Sequence, residues 1–161
     1  MKLHITRDTS EEQGRFLVCN SPGEVFLTVK GKETPIRKLK ALTNDGSCAF
    51  RISATPEIIS SVGYNVSTPQ GTFGVTVRLK AKELSLKIHG TKLFFKGNLF
   101  TRTFEITDVS SKTVAVHKPV SGKSGQYTLE ILDESQTASL IAIAICADLI
   151  SFSDSAAVCR A

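Results

Sequence analysis

The sequence predicts a mainly β protein: a closed antiparallel β-barrel of about twelve strands enclosing a hydrophobic C-terminal α-helix. The prediction rests on short runs of alternating polarity, on turn residues spaced between them, and on one late apolar segment that lacks a polar face. Lys2 to Arg7 alternates, with Leu3 and Ile5 on one face. Arg15 to Cys19 and Val25 to Val29 flank Asn20-Ser21-Pro22-Gly23, whose Pro and Gly supply turn geometry, so the two runs form a hairpin. Arg37 to Leu42 and Cys48 to Ile52 repeat the scheme around Asn44-Asp45-Gly46, and Asp-Gly is a strong hairpin signal. Gly63 to Ser67 pairs with Phe73 to Leu79 through Pro69-Gln70-Gly71. Leu84 to Ile88 and Leu93 to Phe95, around Gly90, are expected to form a further pair. Phe104 to Thr107 and Thr113 to His117 enclose the polar stretch 108–112, and Tyr127 to Leu132 ends the series.

The next segment breaks the alternation. Ala138 to Ile150 is too long and too rich in Ala for a strand, and Asp133, Glu134, Ser135 and Thr137 ahead of it supply N-cap chemistry and first-turn negative charge. The helix is expected at about 137–152, with 153–161 as a tail. Ala138 to Phe152 would measure roughly 22 Å, short of the bilayer core of about 30 Å, and Asp148 shortens the apolar run further, so no transmembrane span is expected. Leu140, Ile141, Ile143, Ile145, Leu149 and Ile150 lie all round the helix. Such a helix must be buried on every side. A barrel can do this if it is wide enough for a helix about 10 Å across, which needs more than eight strands.

With 161 residues the chain reads as a single domain, 1–161. Its 41% hydrophobic and 22% charged content excludes disorder and coiled coil. A net charge of +5 suits an anionic surface as partner. Cys19, Cys48, Cys146 and Cys159 form no C-x-x-C pair, so reduced thiols are expected, with Cys146 in the core. The N-terminus carries no apolar stretch of the length secretion needs. The expected location is cytoplasmic, with peripheral attachment to membranes an open alternative. Cys48-Ala49-Phe50-Arg51 with Tyr64-Asn65-Val66 is echoed by Val114-Ala115-Val116-His117 with Tyr127-Thr128-Leu129, as a barrel of two similar halves would leave behind.

Lys96-Gly97-Asn98, Phe104-Glu105-Ile106-Thr107-Asp108, Val114-Ala115-Val116-His117-Lys118, Tyr127-Thr128-Leu129-Glu130-Ile131 and the apolar helix ending in Ala147-Asp148 resemble the second half of the LURP-one-related proteins. The specific likeness covers residues 96–150, and residues 25–66 agree in rhythm. The resemblance implies a twelve-stranded barrel around a hydrophobic C-terminal helix, akin to the tubby C-terminal domain and the phospholipid scramblases. It supplies no catalytic residue. Pro119 after Lys118 departs from the family pattern and puts the following connection in doubt. Phosphoinositide binding transfers only by analogy of fold.

His4, His89 and His117 are scattered and form no metal-ligand pair, so they read as surface or half-buried strand residues. There is no G-x-S-x-G elbow, and Ser121-Gly122-Lys123-Ser124-Gly125 fails the phosphate-loop pattern because position 117 is His. No catalytic residue, metal or cofactor is expected, and the protein is not expected to be an enzyme. Asp148 either lies solvated at the barrel mouth or has a buried donor such as Lys, Arg or a Tyr hydroxyl. The candidate binding residues are basic: Arg78, Lys80, Lys82, Lys87, Lys92, Lys96 and Arg102, against Glu83 alone. A second group, Lys30, Lys32, Arg37, Lys38 and Lys40, surrounds Glu33. Two functions stay open. One is a non-enzymatic module that binds anionic phospholipid or phosphoinositide surfaces. The other is a protein-interaction scaffold whose positive wall serves solubility. Nucleic acid is not an expected partner, since Phe94, Phe95 and Phe100 serve as easily in a core as in base stacking.

Overall fold

Twelve strands form where alternation and turn residues place them. They are β1 (Lys2–Arg7), β2 (Phe16–Asn20), β3 (Val25–Lys32), β4 (Lys38–Leu42), β5 (Cys48–Ala54), β6 (Ser61–Thr68), β7 (Gly71–Lys80), β8 (Glu83–His89), β9 (Phe94–Asn98), β10 (Thr103–Thr107), β11 (Thr113–Pro119) and β12 (Gln126–Ile131). This computed structural model describes residues 1–7, 16–20, 23–32, 38–55, 61–80 and 83–160, with the backbone alone at 32, 61, 79, 80, 83 and 150–160. Arg15, Arg37 and Lys82 lie outside the described residues.

Strands consecutive in the chain pair antiparallel everywhere except at β8 and β9, giving the order β8-β7-β6-β5-β4-β3-β2-β1-β12-β11-β10-β9. Short turns permit this, because an antiparallel pair needs only a tight connection. The pairing of β1 with β12, from Lys2 opposite Glu130 to Thr6 opposite Gln126, joins the ends of the chain. The expected pairing of Leu84 to Ile88 with Leu93 to Phe95 does not form: among the described residues β8 and β9 are the two ends of the sheet, each hydrogen-bonded on its other side, so the barrel is nearly closed, with one seam. The two Tyr residues of the internal echo, Tyr64 in β6 and Tyr127 in β12, are both buried and stand six strands apart in the chain.

The interior follows from the alternation. Leu3 and Ile5, Phe16 and Val18, Leu27 and Val29, Phe50 and Ile52, and Leu129 and Ile131 all point inward. Solvent comes nearest the core beside the seam. Phe73, Leu84, Leu86 and Ile88 are 7–8% exposed, against 3% or less for the other core residues. Gly97 lies in β9 at φ +141, and a Cβ there would come within 2.6 Å of the Phe104 Cα, so only glycine lets β10 approach this closely.

A short 3-10 turn, η1 (Glu134–Gln136), leads into the helix, and the Asp133 carboxylate caps it by accepting from the Ser135 N–H. The helix α1 spans Thr137–Arg160, longer than the expected 137–152. It takes in most of the segment read as a tail because no Gly or Pro follows Thr137 to end it. Every residue from Leu140 to Leu149 is 2% exposed or less, so over this stretch the barrel wall encloses the helix on all sides. Among the described residues no helix is long and apolar enough to cross a membrane.

Candidate functional site

Two polar regions stand out, one inside the barrel and one on its wall. The inner one centres on Asp148, which lies 11 residues into α1 and is 1% exposed. Of its two expected places, the solvated barrel mouth and the buried site beside a donor, it takes the buried one, and the ring of His117 faces it. The His117 Nε2 is 3.3 Å from each carboxylate oxygen. On the other side of the ring, Nδ1 is 2.7 Å from the Arg102 carbonyl. A carbonyl only accepts, so Nδ1 carries a hydrogen, and Nε2 is the nitrogen that faces the carboxylate. Sequence spacing placed His117 at the surface or half-buried, yet it is fully buried. The period of β11 accounts for this, since His117 shares its inward parity with Ala115. His4 is half-buried and His89 exposed, as expected for those two.

Aromatic rings hold the imidazole from both faces. Phe104 stacks on it at a centroid distance of 4.3 Å and Tyr127 at 5.1 Å. Arg102 adopts the left-handed backbone at φ 58, uncommon outside glycine, which turns its carbonyl onto His117. Its guanidinium lies 5.2 Å over the Tyr127 ring and donates to the Tyr127 hydroxyl. Burial, and secondarily the Asp148 carboxylate, push the Tyr127 phenol up to about 12, so it stays protonated. Burial likewise pushes the Cys146 thiol up, keeping it a neutral core residue. His117, Asp148, Phe104 and Tyr127 are closed to solvent, Arg102 is half-buried, and the cluster links β10, β11 and β12 to the central helix.

The wall carries the basic residues. Arg78 on β7 and Lys87 on β8 are exposed on the outer face, and Lys80 shares the strand parity of Arg78. Lys92 is exposed in the β8–β9 turn and Lys96 is exposed on β9. Lys82 lies outside the described residues. The structure does not bring these residues together as one positive stripe. Lys80 stands opposite Glu83, Lys96 stands opposite Glu105, and the Arg102 side chain is turned onto Tyr127. Phe94 and Phe100 are exposed at 52% and 47%, while Phe95 packs on Phe104 at 4.8 Å. Sequence reasoning left Arg51 out of the second basic group; it stands opposite Lys40, a relation that only strand pairing reveals.

Comparison with curated proteins finds no match. Among solved structures, the crystal structure of an Arabidopsis thaliana protein matches with a TM-score of 0.57 at 16% identity, over 89% of each chain. At that identity the likeness shows the fold. The LURP-one-related family profile matches residues 1–148, extending the specific likeness of 96–150 back to the start of the chain and including every strand and the helix as far as Asp148. This chain therefore belongs to the LURP-one-related family.

Proposed function

We propose that this protein is a non-enzymatic binding module that attaches to anionic phospholipid surfaces through its basic outer wall. The observation that carries this reading is the charge of strands β3 to β7, which hold seven basic residues and no acidic one. The interior supports it, because Leu140 to Leu149 occupy the space in which a barrel would otherwise hold a ligand. Near an anionic bilayer each Lys or Arg contributes about 1 kcal/mol, and the attraction fades within a Debye length of about 8–10 Å.

Binding should therefore be delocalised and sensitive to salt. The protein is expected to co-sediment with vesicles of phosphatidylcholine and phosphatidylserine at low ionic strength, and to release steeply as salt rises to physiological strength. Vesicles of phosphatidylcholine alone should leave it in the supernatant. No sedimentation with the anionic vesicles at low salt would remove the lipid reading. A protein-interaction scaffold would then stand in front, favoured by the edges of β8 and β9 that pair with no strand among the described residues and can accept an added one.

A further inference from the structure

Wherever else on this barrel a basic strand residue faces a charged one across the sheet, among the described residues, the signs are opposite. Lys2 faces Glu130, Lys80 faces Glu83, and Lys96 faces Glu105. On β3 to β5 the rule is reversed. Lys30 stands opposite Lys40, and Lys40 stands opposite Arg51, with all three exposed. In the next row Lys32 stands opposite Lys38. Strands lie about 4.8 Å apart, so the first row sets three cations within about 10 Å on the outer wall. Directly opposed like charges destabilise a sheet. We propose that Lys30, Lys40 and Arg51 form the membrane-contact ladder of this protein, where the phosphates of an anionic phospholipid surface supply the missing counter-charge. The inference rests on the lipid-binding reading above and specifies which part of the wall meets the bilayer.

Geometry separates the ladder from the basic residues near the seam. With twelve strands round the barrel each takes about 30°, so β4 and the β7–β8 pair are turned about 90–120° apart. A flat bilayer that meets one of them leaves the other on the flank. The seam-side group is diluted by Glu83 and Glu105 and by the inward turn of Arg102. In the ladder, by contrast, every paired position of β3, β4 and β5 is free of carboxylates, and Glu33 lies beyond the end of β3. The barrel would thus lie on its side, with β4 against the headgroups.

The test compares variants on vesicles of phosphatidylcholine with phosphatidylserine, and follows thermal melting of each. Replacing Lys30, Lys40 and Arg51 together by Ser should weaken binding roughly a hundredfold. Melting should be unchanged or raised, because repulsion is relieved. The pair Arg78→Ser and Lys87→Ser should change binding about threefold or less, since the flank lies beyond a Debye length. Lys40→Glu gives the sharpest contrast. It sets a carboxylate between two cations, so it should raise the Tm while binding falls. A ladder variant that binds like wild type, with the loss appearing in Arg78→Ser/Lys87→Ser, would overturn the ladder and leave the lipid reading standing. A Lys40→Glu protein that melts earlier would also overturn it, since the cations would then be making a structural contact. Failure of the wild-type protein to bind at low salt would overturn both.

Discussion

Ile145→Asp should yield no soluble, cooperatively folding protein. Ile145 is fully buried, and so are its neighbours on every side of the helix, so no rotamer can carry a carboxylate to water. The change forfeits about 1.5–3 kcal/mol of apolar burial. It also encloses a second carboxylate three residues before Asp148, whose facing donor His117 is already engaged. An isolated buried charge adds several kcal/mol of penalty, against a total stability of about 5–15 kcal/mol. Ile145→Val serves as the control and should cost only about 0.5–1.5 kcal/mol. Soluble fraction and thermal melting decide the matter. A soluble Ile145→Asp protein with the wild-type Tm would contradict the enclosed helix.

The second large effect lies at the buried contact of His117 with Asp148. Asp148→Ala should destabilise the protein by about 3–5 kcal/mol, because it removes one member of a buried pair and strands the other. His117 has no route to solvent, with Phe104 and Tyr127 against its faces and the Arg102 carbonyl on Nδ1. For a domain of this size the loss corresponds to a fall in Tm of roughly 10 °C. Replacing both members by apolar residues of similar volume, His117→Phe with Asp148→Leu, should restore most of the stability. Urea denaturation of the two single variants and the double variant measures the coupling directly. Additive losses would show that the two side chains do not act as a pair.

These two sites differ in how far the sequence reveals them. The all-round apolar character of Leu140 to Ile150 is written in consecutive residues, and so is the alternation of each strand from Lys2 to Ile131. Width then follows from simple geometry: a helix in the lumen needs more than eight strands. Pairing across the barrel is another matter. His117 and Asp148 are 31 residues apart, and only the passage of the helix beside β11 brings them together. Arg102 reads as another surface cation until its left-handed backbone turns the side chain onto Tyr127. The ladder is hidden for a similar reason. Lys30, Lys40 and Arg51 belong to three different strands, and a shift of one residue in register would send each side chain to the other face. The helix end escaped because Ser153 to Ala157 is polar and small, which suggests a tail, while containing nothing that stops a helix.

The account depends above all on the helix being the interior of the barrel, which leaves the outer wall as the surface for recognition. Native-state hydrogen exchange tests this most directly. The amides of Leu140 to Leu149 should exchange only through global unfolding, with the same protection free energy as β1, β11 and β12. Exchange in that helix at a markedly lower free energy than in the strands would mean that it leaves the barrel while the wall stays folded, and would contradict the account.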